Sequence, residues 1–534
     1  MYETKTVPFC NKLEYKFQKK VLILQQNICN NNQAMSKIQS QKVSLGEKIG
    51  YSLGDVAANL VFQVMMVFQL KFYTDVFGLE GAVAGSVFLI ACLSGAIADP
   101  IMGILSDRTK TRWGKYRPWL LWTALPFSIF YVLAFYNPGI EEKGVVALYA
   151  TISYILLIIM YAMNTIPYSS LGGVMTSDIK ERTSINAVRF IAVSLAQFIV
   201  QGMTLPLVNK FGENGGNAQG WTTTILLYAT IAFVFLIIAF CSTHERIQPP
   251  PTQKVNLKED ICSTLSSVSW RAMFVLVLFV FITISMWGAS MNYYFQYNID
   301  QKSLFDFLGV LGLTDENNEG TGVWFYILNS FNLIADGPSD AYSIGFSLFN
   351  MLGAVTQLLS IILLSEYLAN KFGKKQTFLV CLSLTALFTA MFYIPSPVDI
   401  SFIFGLCFFK SLAYAPTVPL LWAMMGDVAD HVEYVNHRRT TGFCFSGMSL
   451  ALKAGLGLGG ALAGFILSCF GYVSGQSGIQ SATATEGIRL VCSVIPAILF
   501  CIGVVALLFY PITKAYNVKM QSELVAHRQN IHVQ

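Results

Sequence analysis

The sequence predicts an all-α membrane protein with twelve transmembrane helices in two pseudo-symmetric six-helix bundles. Hydrophobic residues make up 54% of the 534 residues and charged residues only 12%, about half of the charged fraction of a typical soluble domain. Apolar segments of roughly 20 residues, the length that spans a bilayer core, recur along most of the chain. A polar, proline-rich segment, HERIQPPPTQKVNLKED, divides these segments six and six, which indicates two related bundles.

The twelve predicted spans are separated by polar segments, of which the one between spans 7 and 8 is unusually long. The first six spans are expected at residues 50–77, 82–106, 118–136, 145–168, 186–209 and 221–243. The last six are expected at residues 270–298, 343–366, 376–395, 399–425, 441–470 and 487–511. The predicted domains are a disordered tail over 1–47, an N-terminal bundle over 48–243, a linker over 244–269, a C-terminal bundle over 270–511 with an external insertion over 299–342, and a tail over 512–534.

Lysine and arginine residues are concentrated on one side of the predicted membrane. Lys37, Lys42 and Lys48 precede span 1, and the loop between spans 2 and 3 carries DRTKTRWGKYR. Loops on the other side, such as NPGIEEKG, contain fewer basic residues. Since cytoplasmic loops are enriched in lysine and arginine, we expect a multi-pass protein of the inner cell membrane with both termini and the linker in the cytoplasm.

Composition and spacing argue against several other classes of protein. The net charge of +5 is small, and the basic residues lie in short loops, so nucleic-acid binding is not expected. The 11 cysteines are scattered and show no spacing typical of a metal site or a disulfide framework. No nucleophile–base pair or phosphate-binding loop indicates an enzyme. We therefore expect no enzymatic activity, no bound metal and no cofactor.

Charged residues inside the predicted spans are the strongest indication of a functional site. A charge at the membrane centre costs roughly 2.5–3.5 kcal/mol even on a lenient insertion scale. Asp55 and Asn59 lie one helical turn apart in span 1, a spacing at which both can face one cavity. Each such residue belongs either to a binding or coupling site or to an ion pair that holds helices together. The others are an acid in span 2 and cations in spans 5, 10 and 11: Asp99, Arg189, Lys410 and Lys453.

Polar and aromatic residues of spans 4 and 7 are further candidates for substrate binding. Those of span 4 are Asn164, Thr165 and Tyr168, and those of span 7 include Trp287 and Tyr294. The aromatic residues have an alternative interpretation, because aromatic side chains also form belts at membrane interfaces. The sequence leaves both interpretations open.

The basic hairpin between spans 2 and 3 predicts an inner gate. Charged side chains at helix ends pair with acids or with C-terminal carbonyls in one conformation and release them in another. The alternative is that these charges only set the membrane topology. The predicted gate residues belong to the hairpin and to the region around the end of span 10: Asp107, Arg108, Arg112, Lys115, Arg117, Asp427 and Arg438.

Six segments of the chain together resemble one branch of the major facilitator superfamily. They are GYSLGDVAANLVFQ, FYTDVFGL, ADPIMGILSDRTKTRWGKYRPW, NTIPYSSLGG, ERTSINAVRF and MMGDVADHVEYVNHRRTTGFCFSGMSLALKAGLGLGGALAGFIL. The resemblance extends from about Lys48 to Pro511 and is to the glycoside–pentoside–hexuronide:cation symporters, which include the melibiose permeases. It implies that a monomer in the lipid bilayer imports a sugar by alternating access, coupled to symport of H⁺ or Na⁺.

The resemblance also implies roles for individual residues. Asn59 occupies the position of a sugar-binding acid in span 1, and Thr165 occupies that of a second sugar-binding acid in span 4. Asp99 matches one of two cation-site acids. Arg189 and Lys453 match basic residues tied to the sugar site or its charge network. The intramembrane cations suit an acidic sugar such as a hexuronide, and they equally suit a role as internal counter-ions.

The chain departs from that family at its cation site. Gly95 stands in place of the other acid, Ala98 in place of a nearby asparagine, and Ala162 in place of a hydroxyl residue of span 4. Asp99 remains, which favours H⁺ over Na⁺ because one carboxylate can carry a proton whereas Na⁺ requires several oxygen ligands. Asp55 is expected to bind sugar hydroxyls and to contribute to coupling. The alternatives are uncoupled sugar uniport and transport of a lipid-like or other amphiphilic solute.

Overall fold

The computed structural model describes residues 43–176, 179–212, 218–246, 264–314, 328, 330–436, 441–475 and 480–531. Within these ranges the regular elements are helices, and no β-strand is formed. Two isolated β-bridges join Thr111 to Gly114 and Thr314 to Ala335. The all-α prediction is therefore confirmed.

The N-terminal half consists of long helices joined by loops. They are α1 (Leu45–Lys71), α2 (Gly81–Arg108), α3 (Arg117–Ala134), α4 (Lys143–Val174), α5 (Ile179–Phe211) and α6 (Ala218–Ser242). Ser44 caps the start of α1, where its hydroxyl accepts a hydrogen bond from the Glu47 backbone N–H at 3.2 Å. A π-helical turn over Phe72–Val76 extends α1 at its other end.

The C-terminal half contains more, and shorter, helices. They are α7 (Val268–Tyr297), α8 (Gln301–Val310), α9 (Pro338–Ser360), α10 (Glu366–Phe372), α11 (Lys374–Met391), α12 (Ile400–Tyr414), α13 (Thr417–Asn436), α14 (Thr441–Cys469), α15 (Ala482–Cys492), α16 (Val494–Leu508) and α17 (Lys514–Ile531). A π-helical turn over Ile361–Ser365 joins α9 to α10. The predicted insertion thus contains α8 and the first turn of α9.

Ten helical segments of the described chain are long and apolar enough to cross a membrane. They correspond to ten of the twelve predicted spans. The two shorter helices α3 and α11, with 18 residues each, lie where spans 3 and 9 were expected. The helical membrane architecture is therefore confirmed, and the predicted count of twelve spans is confirmed for ten of them.

Two predicted spans are each formed by two helices. Span 10 is divided between α12 and α13 at residues 415–416, where Pro416 cannot donate to the helical hydrogen-bond ladder. Span 12 is divided between α15 and α16 by Ser493, whose backbone at φ −127° and ψ −81° is not helical. Both breaks lie in the C-terminal half, and both segments remain long and apolar enough to cross a membrane.

The two halves pack closely along α2 and α14. A Cβ atom at Gly81 would lie 2.6 Å from the Gly464 carbonyl oxygen, and one at Gly85 would lie 2.7 Å from the Ala461 carbonyl oxygen. Larger residues at these positions would push the helices apart. Contacts of α1 with α7 and of α5 with α9 complete the junction, so the charged helices of both halves come close together.

The two ends of the bundle differ in how the halves contact each other. We call the end at which α1 begins and α16 ends the terminal face, and the other end the opposite face. On the terminal face, the ion pairs of the described residues, such as Glu47 with Arg246 and Lys374 with Asp427, stay within one half. On the opposite face, Lys71 of α1 donates a hydrogen bond to Gln296 of α7. The halves are therefore bridged by polar contacts on the opposite face.

Candidate functional site

A carboxylate and a guanidinium form the polar centre of the N-terminal half. Arg189 Nε of α5 lies 2.7 Å from Asp55 Oδ2 of α1. Asn59 Nδ2 donates to Asp55 Oδ1 at 3.3 Å and to the Asp55 carbonyl oxygen at 3.0 Å. The side chains of Arg189 and Asp55 are 28% and 17% exposed, so both remain accessible to a polar solute. The structure thus brings three predicted substrate-binding residues together.

The polar stripe on α1 continues beyond the residues that sequence reasoning selected. Gln63 follows Asn59 at the same four-residue spacing, and its Oε1 accepts a hydrogen bond from Gln201 Nε2 of α5 at 3.0 Å. Asp55, Asn59 and Gln63 therefore line one face of α1. One further step of the spacing would have identified Gln63, whereas no sequence signal indicates Gln201.

A second ion pair connects the two halves. Lys453 Nζ of α14 contacts Asp99 Oδ2 of α2, and the two side chains are 19% and 14% exposed. Asp99 Oδ1 is buried and has no hydrogen-bond partner among the described residues. An added Cβ at Gly95 would lie 2.6 Å from Ile158 Cγ2, so an apolar side chain backs the position of the missing acid. Asp99 therefore has a cation as its partner and one oxygen available to accept a proton.

A third intramembrane cation has an aromatic partner instead of a carboxylate. Lys410 Nζ of α12 lies 2.9 Å from the centroid of the Trp287 ring of α7, a cation–π contact. The Trp287 ring lies 6.1 Å from the rings of Phe349 and Phe392, which are fully buried. Lys410 and Trp287 are themselves only partly buried. Trp287 thus lies inside the C-terminal half and faces a cation.

Two predicted residues of α4 hold helices together. Tyr168 stacks on Tyr51 with ring centroids 4.5 Å apart and donates to the Tyr51 carbonyl oxygen at 2.9 Å. Asn164 is fully buried and donates to Thr123 Oγ1 of α3 at 2.8 Å. These contacts fix α4 against α1 and α3.

Thr165 and Tyr294 are also occupied by local contacts. Thr165 donates to the Tyr161 carbonyl oxygen one turn earlier, at 2.8 Å. Tyr294 is buried and donates to the Phe392 carbonyl oxygen at 3.4 Å. Their hydroxyl groups therefore satisfy backbone acceptors in this conformation.

The predicted gate hairpin is tied to its own half by Glu245. The Glu245 carboxylate accepts hydrogen bonds from the backbone N–H groups of Lys115, Tyr116 and Arg117 at 2.8, 2.7 and 2.9 Å. It thereby satisfies free donors at the positive end of α3. Arg117 Nη2 donates to the Phe240 carbonyl oxygen at 2.8 Å. All these contacts lie within the N-terminal half.

The other predicted gate residues form no bridge between the halves in the described part of the chain. Arg108 is exposed at the end of α2, and the Arg112 guanidinium lies 4.8 Å from the ring centroid of its neighbour Trp113. In the C-terminal half, Lys374 Nζ lies 2.7 Å from Asp427 Oδ2. Two predicted gate residues are not fully described by the structure. The side chain of Asp107 lies outside the described part of the chain, and so does the whole of Arg438.

Sequence reasoning missed an ion pair on the terminal face. Arg246 Nη1 and Nη2 donate to the two carboxylate oxygens of Glu47, each at 2.7 Å. The hydrogen bond to Glu47 raises the pKa of Arg246. These two parallel hydrogen bonds hold the start of α1 against the segment after α6. No local spacing in the sequence indicates the pair, because the two residues are 199 positions apart.

The bridge on the opposite face was also missed. Lys71 Nζ lies 2.7 Å from Asp75 Oδ2 and donates to Gln296 of α7. The Tyr472 hydroxyl, in the segment after α14, donates to Asp75 Oδ1 at 3.0 Å. The four-residue spacing of Lys71 and Asp75 would have indicated the pair, whereas its partners in the other half depend on helix packing.

Comparisons with known proteins agree with this architecture. A family model described as MFS/sugar transport protein matches residues 50–317 and 319–514. Inner membrane symporter YicJ of Escherichia coli (strain K12) is 32% identical over 490 residues, which are 92% of this chain and 96% of the relative. The putative glycoside/cation symporter YagG of the same organism is 30% identical over 487 residues, with coverage of 91% and 96%.

A solved structure supports the fold independently of close sequence similarity. The structure of a proton-dependent oligopeptide transporter superposes with a TM-score of 0.58 at 12% identity, covering 90% of this chain and all of the other. At 12% identity this structural similarity supports the fold. The family model, by contrast, matches a sequence range that covers nearly all the helices described above. The chain therefore belongs to the MFS/sugar transport protein family, whose members are transporters and not enzymes.

Proposed function

We propose that this protein imports a sugar by alternating access in symport with a cation. The observation that carries the proposal is the partly exposed Asp55–Arg189 pair with Asn59, inside a membrane-spanning bundle. The relatives named as a symporter and as a putative glycoside/cation symporter support it. Glycosides, pentosides and hexuronides are the sugar classes that the family resemblance implies.

The N-terminal site is chemically suited to sugar hydroxyls. The Asp55 carboxylate can accept hydrogen bonds from two adjacent hydroxyls. Asn59 and Gln63 each offer a donor and an acceptor on the same face of α1, and Arg189 donates from α5. Because sugar hydroxyls both donate and accept, this mixed set of groups can satisfy them. A bound sugar would then replace part of the contact between Asp55 and Arg189.

Asp99 and Lys453 are the proposed coupling pair. Protonation of Asp99 removes its negative charge, releases Lys453 and weakens a contact between the two halves. A change in such a contact shifts the balance between two packing arrangements of a transporter. One carboxylate with an unpaired oxygen suits H⁺ better than Na⁺, so H⁺ is the proposed cation. Asp55 is a second proposed coupling carboxylate, since its charge also holds a cation in place.

The proposed orientation places the terminal face in the cytoplasm, because the basic hairpin and the lysines before α1 lie there. The Lys71–Gln296 bridge then closes the outer side, and the hairpin would engage the other half when the outer side opens. One chain contains both halves, so a monomer is the proposed transport unit. The proposed domains are bundles over 48–243 and 270–511, a linker over 244–269, an external insertion over 299–342, and cytoplasmic tails over 1–47 and 512–534.

The function is tested by uptake of labelled sugars into proteoliposomes under imposed H⁺ or Na⁺ gradients, with a panel of glycosides, pentosides and hexuronides. We expect a pH gradient to drive accumulation of one class. Asp99→Asn should abolish accumulation above equilibrium while slow equilibration continues. Asp306→Asn, which alters an exposed carboxylate of α8, is the matched control and should behave as the wild type.

Two results would contradict these assignments. Gradient-driven accumulation that persists unchanged in Asp99→Asn would refute the coupling role of this carboxylate. Failure of every sugar in the panel to accumulate under either gradient would refute sugar symport itself.

A further inference from the structure

We propose that the transported sugar carries a carboxylate and that Lys410 binds this carboxylate. The inference rests on the proposed sugar transport and narrows its substrate to acidic sugars. Three features support it: a cation without a counter-charge, a group of hydrogen-bond donors without acceptors, and a position beside the N-terminal half.

Lys410 differs from the other intramembrane cations in its partner. Lys71 of α1, Arg189 of α5 and Lys453 of α14 each contact a carboxylate. In the part of the chain that the structure describes, Lys410 has neither an ion pair nor a hydrogen bond, and its Nζ faces the Trp287 ring. A cation–π contact offsets only part of the cost of a charge at membrane depth. The described residues thus supply no counter-charge to this ammonium group.

Hydrogen-bond donors without partners lie on the helices beside Lys410. Trp287 Nε1, Ser290 Oγ and Asn350 Nδ2 are buried and have no hydrogen-bond partner among the described residues. Ser290 shares a face of α7 with Trp287, and Asn350 follows Phe349, whose ring contacts Trp287. Indole and ammonium groups donate only, so this region requires acceptors. A ligand carboxylate provides acceptors and the missing negative charge together.

The position of Lys410 suits a substrate that also contacts the N-terminal half. Gly288, next to Trp287, faces α1, and a Cβ atom there would lie 3.6 Å from the Met66 carbonyl oxygen. Met66 follows Asn59 by about two turns, or about 10 Å along the helix. The helix that carries Trp287, the partner of Lys410, therefore meets the helix of the hydroxyl-binding stripe at the junction between the halves. A sugar bound through its hydroxyls at α1 would present a carboxylate substituent toward α12.

Paired ligands that differ only in the carboxylate test this inference. Methyl glucuronide and methyl galacturonide are compared with methyl glucoside and methyl galactoside by calorimetric titration of the full-length protein in nanodiscs. We expect an acidic ligand to bind about 10- to 100-fold more tightly than its neutral counterpart, the range for a hydrogen bond to a charged group. Lys410→Gln should remove this preference and Lys410→Arg should retain most of it. Lys519→Gln, at a lysine with 73% exposure, is the control.

Within each ligand pair, the ratio of the dissociation constant of the neutral ligand to that of the acidic ligand distinguishes a binding role of Lys410 from a structural one. A packing defect at Lys410 would weaken both ligands and leave the ratio unchanged. A ratio near one in the wild type, an unchanged ratio in Lys410→Gln, or absence of binding by both acidic ligands would overturn the inference. If neutral sugars accumulate while the ratio is one, sugar symport stands and the inference fails. If an acidic ligand binds through Lys410 but no sugar accumulates, the proposal of sugar symport is refuted and the proposal of an anion site at Lys410 is retained.

Discussion

In the N-terminal half, Asp55 and Asp99 carry carboxylates into the membrane, whereas the C-terminal half contributes the cations Lys410 and Lys453. Arg189 contacts an acid of its own half, and Lys453 contacts an acid across the junction. Lys410 instead faces an aromatic ring. The comparison separates charges that already stabilise helix packing from a charge whose partner is proposed to come from the substrate.

This difference predicts opposite effects of removing a cation from each half. Removing one member of a buried ion pair leaves the other charge without a partner, which costs about 3–5 kcal/mol. Removing the charge of Lys410, which has no counter-ion among the described residues, leaves no opposite charge without a partner. Stability measurements on the two halves can therefore test the comparison without knowledge of the substrate.

The largest effect is expected for Arg189→Met, because Asp55 would keep its charge and lose its partner. We expect the free energy of unfolding to fall by about 3 kcal/mol, at the lower end of the range for buried pairs because both side chains are partly exposed. Thermal unfolding in detergent measures the change. The double variant Asp55→Asn with Arg189→Met should recover most of the loss, and a double variant as unstable as the single one would contradict the paired-charge interpretation.

A smaller effect of opposite sign is expected for Lys410→Met. The change removes a charge that costs roughly 2.5–3.5 kcal/mol at the membrane centre and forfeits a cation–π contact of about 0.5–2 kcal/mol. We therefore expect the free energy of unfolding without substrate to rise by about 1–2 kcal/mol. The same thermal measurement on Lys519→Met, at an exposed position, should show no change. A destabilised Lys410→Met protein would mean that the cation–π contact is structural and would remove the contrast between the halves.

The membrane architecture was predictable because the bilayer sets the length of a span and its composition. The breaks in spans 10 and 12 were not, since a proline does not by itself end a helix. Pro100 and Pro126 lie inside α2 and α3, whereas Pro416 lies between two helices. Packing against neighbouring helices decides between these outcomes, and a single sequence contains no direct record of that packing.

The site was predictable as a set of residues but not as a set of contacts. Helical periodicity places Asn59 one turn from Asp55, and the structure has their side chains hydrogen-bonded. The partner of Asp55 depends on how α5 is rotated against α1, which no local spacing encodes. The same limit applies to Lys410, whose charge is obvious in the sequence, while its lack of an acid partner among the described residues emerges only from the packed helices.

The smallest effect is expected at Gln63, which extends the N-terminal stripe toward the junction of the halves. Gln63→Leu should weaken sugar binding about 3- to 10-fold, the range for loss of one neutral hydrogen bond, with calorimetric titration as the measurement. The substitution also leaves Gln201 without its partner, so the double variant Gln63→Leu with Gln201→Leu is the necessary comparison. Recovery of affinity in the double variant would assign the loss to the unpaired Gln201, whereas equal losses in both variants would place the sugar on Gln63. Unchanged affinity in both would limit the stripe to Asp55 and Asn59 and leave the sugar farther from the cation of the C-terminal half.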